Sequence, residues 1–236
     1  LTFEVQDIRA IADEAHERGC VVIIDDTWSS GVFFKPFEHG VDVSVIAATK
    51  YLVGHSDVMM GVITTTDEQW QIVRQSASDL GANSGPDDVY LALRGLRTIA
   101  VRMRQHHETG LKLARWLQAR PEVVDVLHPG LPDNPNHELW KRDFTGACGL
   151  FGVVLKPYRD EAFAAMLDGL ELYGMGASWG GFESLILLTN PASIRVATHD
   201  RWKDAGPTLR IHAGLEDADD LIADLEKGFE RLNANA

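Results

Sequence analysis

Apolar positions at the start of the chain recur at helical spacing. Val5, Ile8, Ile11, Ala12 and Ala15 fall on one face, which predicts an amphipathic helix. After Gly19 the pattern changes: residues 20–24 are an unbroken apolar, largely β-branched run, as expected of a strand buried on both faces of a parallel sheet. Residues 41–47 and 58–65 read as two further strands, separated by a Gly-containing turn. Gly85-Pro86-Asp87-Asp88 marks a helix start, because proline fits the first turn and the acids favour the positive end of the helix dipole. From there apolar positions continue through Leu93, Leu96, Val101, Leu111, Leu113 and Leu117 to Arg120-Pro121. This predicts one long helix bridging two domains, with the boundary near residues 94–97. Residues 123–127, 150–155, 185–188 and 209–212 read as strands alternating with helices, the last of which (217–232) carries Leu221, Leu225, Phe229 and Leu232 on one face. A Pro-, Asn- and Asp-rich loop over 129–136 leads to a short helix with His137 and Trp140, and Trp140 is assigned to the core. The fold class is therefore α/β, with part of a larger domain over residues 1–96 and a smaller α/β domain over 97–236.

Composition narrows the function classes. The 236 residues are 45% hydrophobic and 24% charged, ordinary for a soluble globular protein. A net charge of -13 argues against nonspecific nucleic-acid or anionic-membrane binding, since both need a basic surface. Cys20, placed in the first predicted strand, and Cys148 have no metal-ligand spacing to the nine histidines, so no metal site is expected and a reduced, cytoplasmic setting is. No apolar run approaches the roughly 20 residues of a membrane span. His106 and His107, inside the long helix, are expected at the surface or an interface.

The chemistry gathers at the ends of the first two strands. Asp25 and Asp26 follow the first, and in open α/β sheets the carboxyl ends of strands are where ligands bind. An Asp in that place also serves as a turn or helix cap. Thr49 and Lys50 follow the second strand, where a lone lysine is ordinarily a solvated surface residue. The longer string Thr49-Lys50-Tyr51-Leu52-Val53-Gly54-His55-Ser56-Asp57 resembles the lysine signature of the pyridoxal-phosphate enzymes of cysteine and methionine metabolism, matching Thr-Lys-Tyr-x-x-Gly-His-Ser-Asp at every fixed position. Asp25-Asp26-Thr27 is similar to that family's Asp-Asn-Thr segment, with Asp26 in place of the usual Asn. Trp28, residues 141–146 and Ser178-Trp179-Gly180-Gly181-Phe182-Glu183-Ser184 resemble the branch that cleaves cystathionine by β-elimination, whereas γ-acting relatives typically carry Leu where Trp179 stands. Leu209-Arg210-Ile211-His212-Ala213-Gly214-Leu215-Glu216-Asp217 is similar to the family's late strand.

The resemblance implies a type I aminotransferase-like pyridoxal-phosphate domain, with a mostly parallel sheet, followed by a small α/β domain. It implies pyridoxal 5'-phosphate as cofactor. Lys50 would carry it and act as the catalytic base, Asp25 would keep the pyridine nitrogen protonated, and Thr49 would bind the phosphate. Arg210 would hold the substrate α-carboxylate, helped by Ser178 and Trp179. The implied substrate is a small amino-acid thioether: cystathionine would give homocysteine, pyruvate and ammonia, as in methionine biosynthesis. A γ-lyase, γ-synthase or sulfhydrylase, or a non-catalytic fragment acting only in assembly, are the alternatives. Ala47 stands where many members have a phosphate-binding Ser, and Ala177 where β-acting members often have Tyr, so the pocket is expected to differ in shape. Relatives of this kind run to roughly four hundred residues, so about 160 residues are expected upstream, carrying the arm, phosphate loop and stacking aromatic that complete the site. A homotetramer built from tight dimers is the implied assembly.

Overall fold

A computed structural model describes residues 1–236. Helix α1 (Ile8–Glu17) opens the ordered elements, capped by the Asp7 carboxylate, which accepts the Ala10 N–H at 3.2 Å. Three strands follow: β1 (Ile23–Asp25), β2 (Val43–Ala47) and β3 (Gly61–Thr65). β1 runs parallel to β2, with Asp25 beside Val45, and β3 returns antiparallel to β2, with Gly61 beside Ala47.

The apolar run at 20–24 does not become a strand buried on both faces. The strand begins only at Ile23; Cys20 is exposed, and Val21 and Ile23 are 48% and 66% exposed. β1 is the edge strand of its sheet, with β2 as its only neighbour, and neither Val21 nor Ile23 joins a buried apolar cluster.

Helices α2 (Asp67–Asp79), α3 (Pro86–Leu96) and α4 (Ile99–Gln118) come next. The long bridging helix is thus broken in two. Thr98 leaves helical geometry, and Arg102, 7% exposed, reaches back to take the Gly95 carbonyl at 2.9 Å. The same guanidinium takes the carbonyls of Tyr51 at 2.6 Å and Leu52 at 3.0 Å. A charged donor therefore answers carbonyls at the end of α3 and in the turn after Lys50 together. Gly95 makes this approach possible: a Cβ there would lie 2.5 and 2.6 Å from the carbonyl oxygens of Val53 and Leu52.

The second half holds β4 (Val123–Leu127), α5 (His137–Asp143), β5 (Leu150–Leu155), α6 (Asp160–Asp168), β6 (Tyr173–Met175), β7 (Ser184–Thr189), α7 (His199–Trp202), β8 (Thr208–His212) and α8 (Ala218–Ala234). Its strands form one sheet in the order β4-β5-β8-β7-β6, antiparallel except for β6 against β7. β6 has no counterpart in the sequence reading, because three residues with a central glycine carry no readable alternation.

The two faces of this sheet separate the core. Phe151, Val153, Leu155, Leu209 and Ile211 pack with residues of α4, α6 and α8. Leu150 and Val154 face the other way and pack with Phe3, Tyr51 and Met103. His106 belongs inside this structure and not at the surface: it is fully buried on α4, with Nδ1 2.8 Å from the Ala213 carbonyl. It lies on the one buried face of α4, in line with Met103, Leu113 and Leu117, while Val101 on the opposite face is 66% exposed. His107 is half-buried and accepts the Ala147 N–H at 3.1 Å. No helix is long and apolar enough to cross a membrane.

Candidate active site

Because β1 and β2 are parallel, their carboxyl ends open on one mouth. Asp25 ends β1 with its side chain exposed. One carboxylate oxygen accepts both the Thr27 N–H at 2.9 Å and the Thr27 hydroxyl at 2.5 Å, while that hydroxyl accepts the Ala47 N–H at 2.9 Å. Thr27 thereby ties the end of β1 to the end of β2 and orients Asp25. The second Asp25 oxygen has no partner within the chain.

Asp26 points inward instead. It is 5% exposed, accepts the Gly31 N–H at 2.9 Å, and its pKa is pushed up to about 7. Burial is the main cause, with the neighbouring Asp25 adding to it and the Gly31 bond opposing it.

Lys50 lies in the turn after β2, held by its own N–H on the Ala47 carbonyl at 3.1 Å and its carbonyl on the Gly54 N–H at 2.8 Å. Its Nζ donates to Ser178 Oγ at 2.9 Å and sits 5.2 Å from the centre of the Trp179 ring. Partial burial, and then the Arg210 charge, hold the amine below the usual lysine range. Thr49 is turned elsewhere: its hydroxyl accepts the Met60 N–H at 3.0 Å and donates to the Met60 carbonyl at 3.3 Å.

Arg210, half-buried on β8, donates through Nη2 to the carbonyls of Gly176 at 3.1 Å and Ser178 at 3.3 Å. Burial lowers its pKa. The loop it grips is fastened again at Ser56, whose hydroxyl donates to Glu183 at 2.9 Å. Gly180 is the closest point of that loop. Its φ is +86°, and a Cβ there would lie 2.9 Å from both Lys50 Cβ and Tyr51 N, so only glycine fits. Trp28 faces Trp179 edge-on at 6.4 Å and stacks on Phe3 at 5.3 Å. A cavity of about 250 Å³ adjoins Asp25 and Trp28; Trp140 lines it, and its indole donates to the Gly146 carbonyl at 3.1 Å.

Lys50, Ser178, Trp179 and Arg210 therefore meet in one place, brought from both sheets. Asp25 stands at the same sheet end on its own strand. One residue of the cluster has no role assigned from the sequence, although it falls within the late-strand string: His212, whose Nε2 accepts the Gly180 N–H at 3.0 Å. The readable signal for it was its place two residues after Arg210 in a strand, hence on the same face.

These groups fit pyridoxal phosphate at two points. An amine of lowered pKa suits its aldehyde, and a carboxylate with a vacant oxygen suits its ring nitrogen. For the phosphate the mouth offers the Thr49 hydroxyl, which must turn its proton away from the Met60 carbonyl to donate.

Residues 1–230 match the family model described as Cys/Met metabolism PLP-dependent enzyme. The chain is 47% identical over 236 residues to the cystathionine beta-lyase MetC of Escherichia coli (strain K12), covering 98% of this chain and 60% of that protein. It is 44% identical to the cystathionine beta-lyase of Salmonella typhimurium (strain LT2), with the same coverage of both. Among solved structures, cystathionine gamma synthase from Xanthomonas oryzae pv. oryzae in complex with cystathionine matches with a TM-score of 0.90 at 33% identity, over 98% of this chain and 61% of that one. The chain thus spans about 60% of the length of the relatives it matches.

Proposed function

The chain belongs to the Cys/Met metabolism family of pyridoxal-phosphate-dependent enzymes, and from that premise we propose that its site cleaves the Cβ–S bond of cystathionine by β-elimination, yielding homocysteine and an enamine that water hydrolyses, after release, to pyruvate and ammonia. The observation that carries this reading is the meeting of Lys50 Nζ with Ser178 Oγ at 2.9 Å, while Arg210 grips the carbonyls of Gly176 and of Ser178 itself. One small volume then holds a base, a hydroxyl, an aromatic wall and a carboxylate clamp.

When bound, the cofactor supplies an electron sink for the pair left at Cα once its proton is removed. In this reading Lys50 takes that proton, and its lowered pKa raises the fraction of neutral amine at working pH. Lys50 then returns the proton to the departing sulfur, so one group serves both halves of the elimination. Asp25 offers its vacant oxygen to the ring nitrogen, and Thr49 is assigned to the phosphate. Arg210 spends only Nη2 on the loop carbonyls, which leaves Nε and Nη1 for the substrate carboxylate. Ser178 and the Trp179 backbone help to fix that carboxylate. The Trp179 ring covers Lys50 and limits water around the reacting atoms.

Residues 1–96 contribute the cofactor-side groups in this proposal and residues 97–236 the substrate-side groups. The assembly is a homotetramer of tight dimers acting in the cytoplasm on a small amino-acid thioether, and light scattering reads its size. The β-acting assignment is supported by the 47% and 44% identities to cystathionine beta-lyases, against 33% to the gamma synthase. The test is product identification from cystathionine with the cofactor-loaded protein. Pyruvate with homocysteine is expected; 2-oxobutyrate with cysteine would assign the site to γ-elimination.

A further inference from the structure

His212 plays no part in the chemistry described above, yet it is 1% exposed and touches the loop that covers Lys50. It shares one face of β8 with Arg210. Arg210 takes the carbonyls of Gly176 and Ser178, and His212 takes the N–H of Gly180. Two side chains from a single central strand thus hold the segment on both sides of Trp179.

The Gly180 N–H is an obligatory donor in a buried place, and an imidazole nitrogen can accept from it only when unprotonated. The Gly181 carbonyl lies 3.3 Å from the same nitrogen, so one ring atom cannot satisfy both groups. Accepting from Gly180 puts the ring proton on Nδ1, which faces the Tyr51 hydroxyl at 3.5 Å. The ring is walled by aromatic neighbours, with His106 at 5.3 Å and Tyr51 at 5.8 Å between centroids, and Tyr51 in turn lies 5.6 Å from Trp179.

We propose that His212, neutral and protonated on Nδ1, is a positioning residue that seats Trp179 and Ser178 over Lys50 by accepting the Gly180 N–H. The titratable and charged groups facing it are His106 from α4, Tyr51 and Lys50 from the turn, and Arg210 on its own strand. None is a carboxylate that would favour an imidazolium. Burial is the main cause holding its pKa down to about 3, with His106, Arg210 and Lys50 adding to it and the Gly181 carbonyl opposing it, so the ring is neutral throughout the working range. The functional consequence rests on the reading of Lys50 as the reacting amine, whereas the contact itself does not.

The test compares the wild-type protein with His212→Phe, which keeps the ring and loses the acceptor, and His212→Gln, which loses the ring and restores an acceptor at the Nε2 position. Hydrogen exchange of a peptide spanning 178–183 reads the Gly180 N–H. Exchange should quicken about fivefold or more in His212→Phe, the scale of one lost hydrogen bond, and return toward wild type in His212→Gln. In wild type, the ¹⁵N shifts of His212 should report a protonated Nδ1 and a bare Nε2, a readout that needs no variant. Borohydride trapping of pyridoxal phosphate on Lys50 should fall in His212→Phe and recover in His212→Gln. A protonated Nε2 in wild type, or wild-type exchange in His212→Phe, would overturn the proposal. Absence of any wild-type Lys50 adduct, with the exchange pattern as predicted, would instead overturn the proposed function and leave the contact standing.

Discussion

Residues 20–24, which lead into β1, and residues 150–155 of β5 are both written as continuous apolar runs, and they meet different fates. All six residues of β5 are buried, Phe151 and Leu155 completely. In β1 Ile23 is 66% exposed, and Val21 just before it is 48% exposed. β5 has β4 on one edge and β8 on the other, helices against one face and Phe3 against the other. β1 has β2 alone. Ile63, Ile72 and Leu93, also within residues 1–96, stay at least half or nearly half exposed, while β5 belongs to a cluster of 21 buried residues drawn from residue 113 onward. A run of apolar residues therefore states what a strand is able to bury. Its neighbours decide whether it does.

The site lies on the seam between these unequal halves, and the sharpest break is there. Lys50→Ala should abolish both cofactor trapping and turnover, since no other amine reaches Ser178; β-elimination retained in that variant would refute the assignment. In the well-covered half, Phe229→Ala should cost about 3–5 kcal/mol of stability, read by urea denaturation, because a fully buried ring leaves a cavity. Arg210→Ala should raise KM for cystathionine about a hundredfold, the scale of a lost charge-assisted pair, with a smaller change in kcat.

The pH dependence of stability sharpens the comparison further. The pKa of Asp26 in the folded protein, about 7, lies above its ordinary value of 3.8, so the folded state holds the extra proton and stability falls as pH rises between the two. Asp26→Asn should remove that decline, gaining about 1–3 kcal/mol at pH 8 and little at pH 4. His106 and His212 act in the opposite direction. Their folded values, about 4 and about 3, lie below 6.5, so stability drops as pH falls below that value. The smallest effect belongs to Ile23→Ala in the poorly covered half, within about 0.5 kcal/mol, as for other surface substitutions. A cost like that of Phe229→Ala would show that β1 is covered in solution.

Much of the site could be read in advance because it is written locally. Thr49 to Asp57 is a contiguous string, and Ser178-Trp179-Gly180-Gly181 is another. Each requires only that its own segment be recognised. His212 escaped because its role depends on a strand face and a loop 32 residues earlier meeting in space. The break between α3 and α4 escaped for a similar reason. Apolar spacing continues through residues 97 and 98, and what ends the helix is the reach of Arg102 to Gly95, Tyr51 and Leu52. The Thr49 hydroxyl was legible as a residue type but not as a partner, since its bonds to Met60 come from the return of the chain toward β3. The second-half strands at Val123–Leu127 and Leu150–Leu155 were legible to the residue, being long enough for their pattern to show.

Borohydride reduction of the purified protein after incubation with pyridoxal phosphate, followed by peptide mapping, tests the central claim most directly. The account predicts one reduced adduct, on Lys50, in preference to the other six lysines of the chain. Label spread over the exposed lysines, with none concentrated on Lys50, would contradict it.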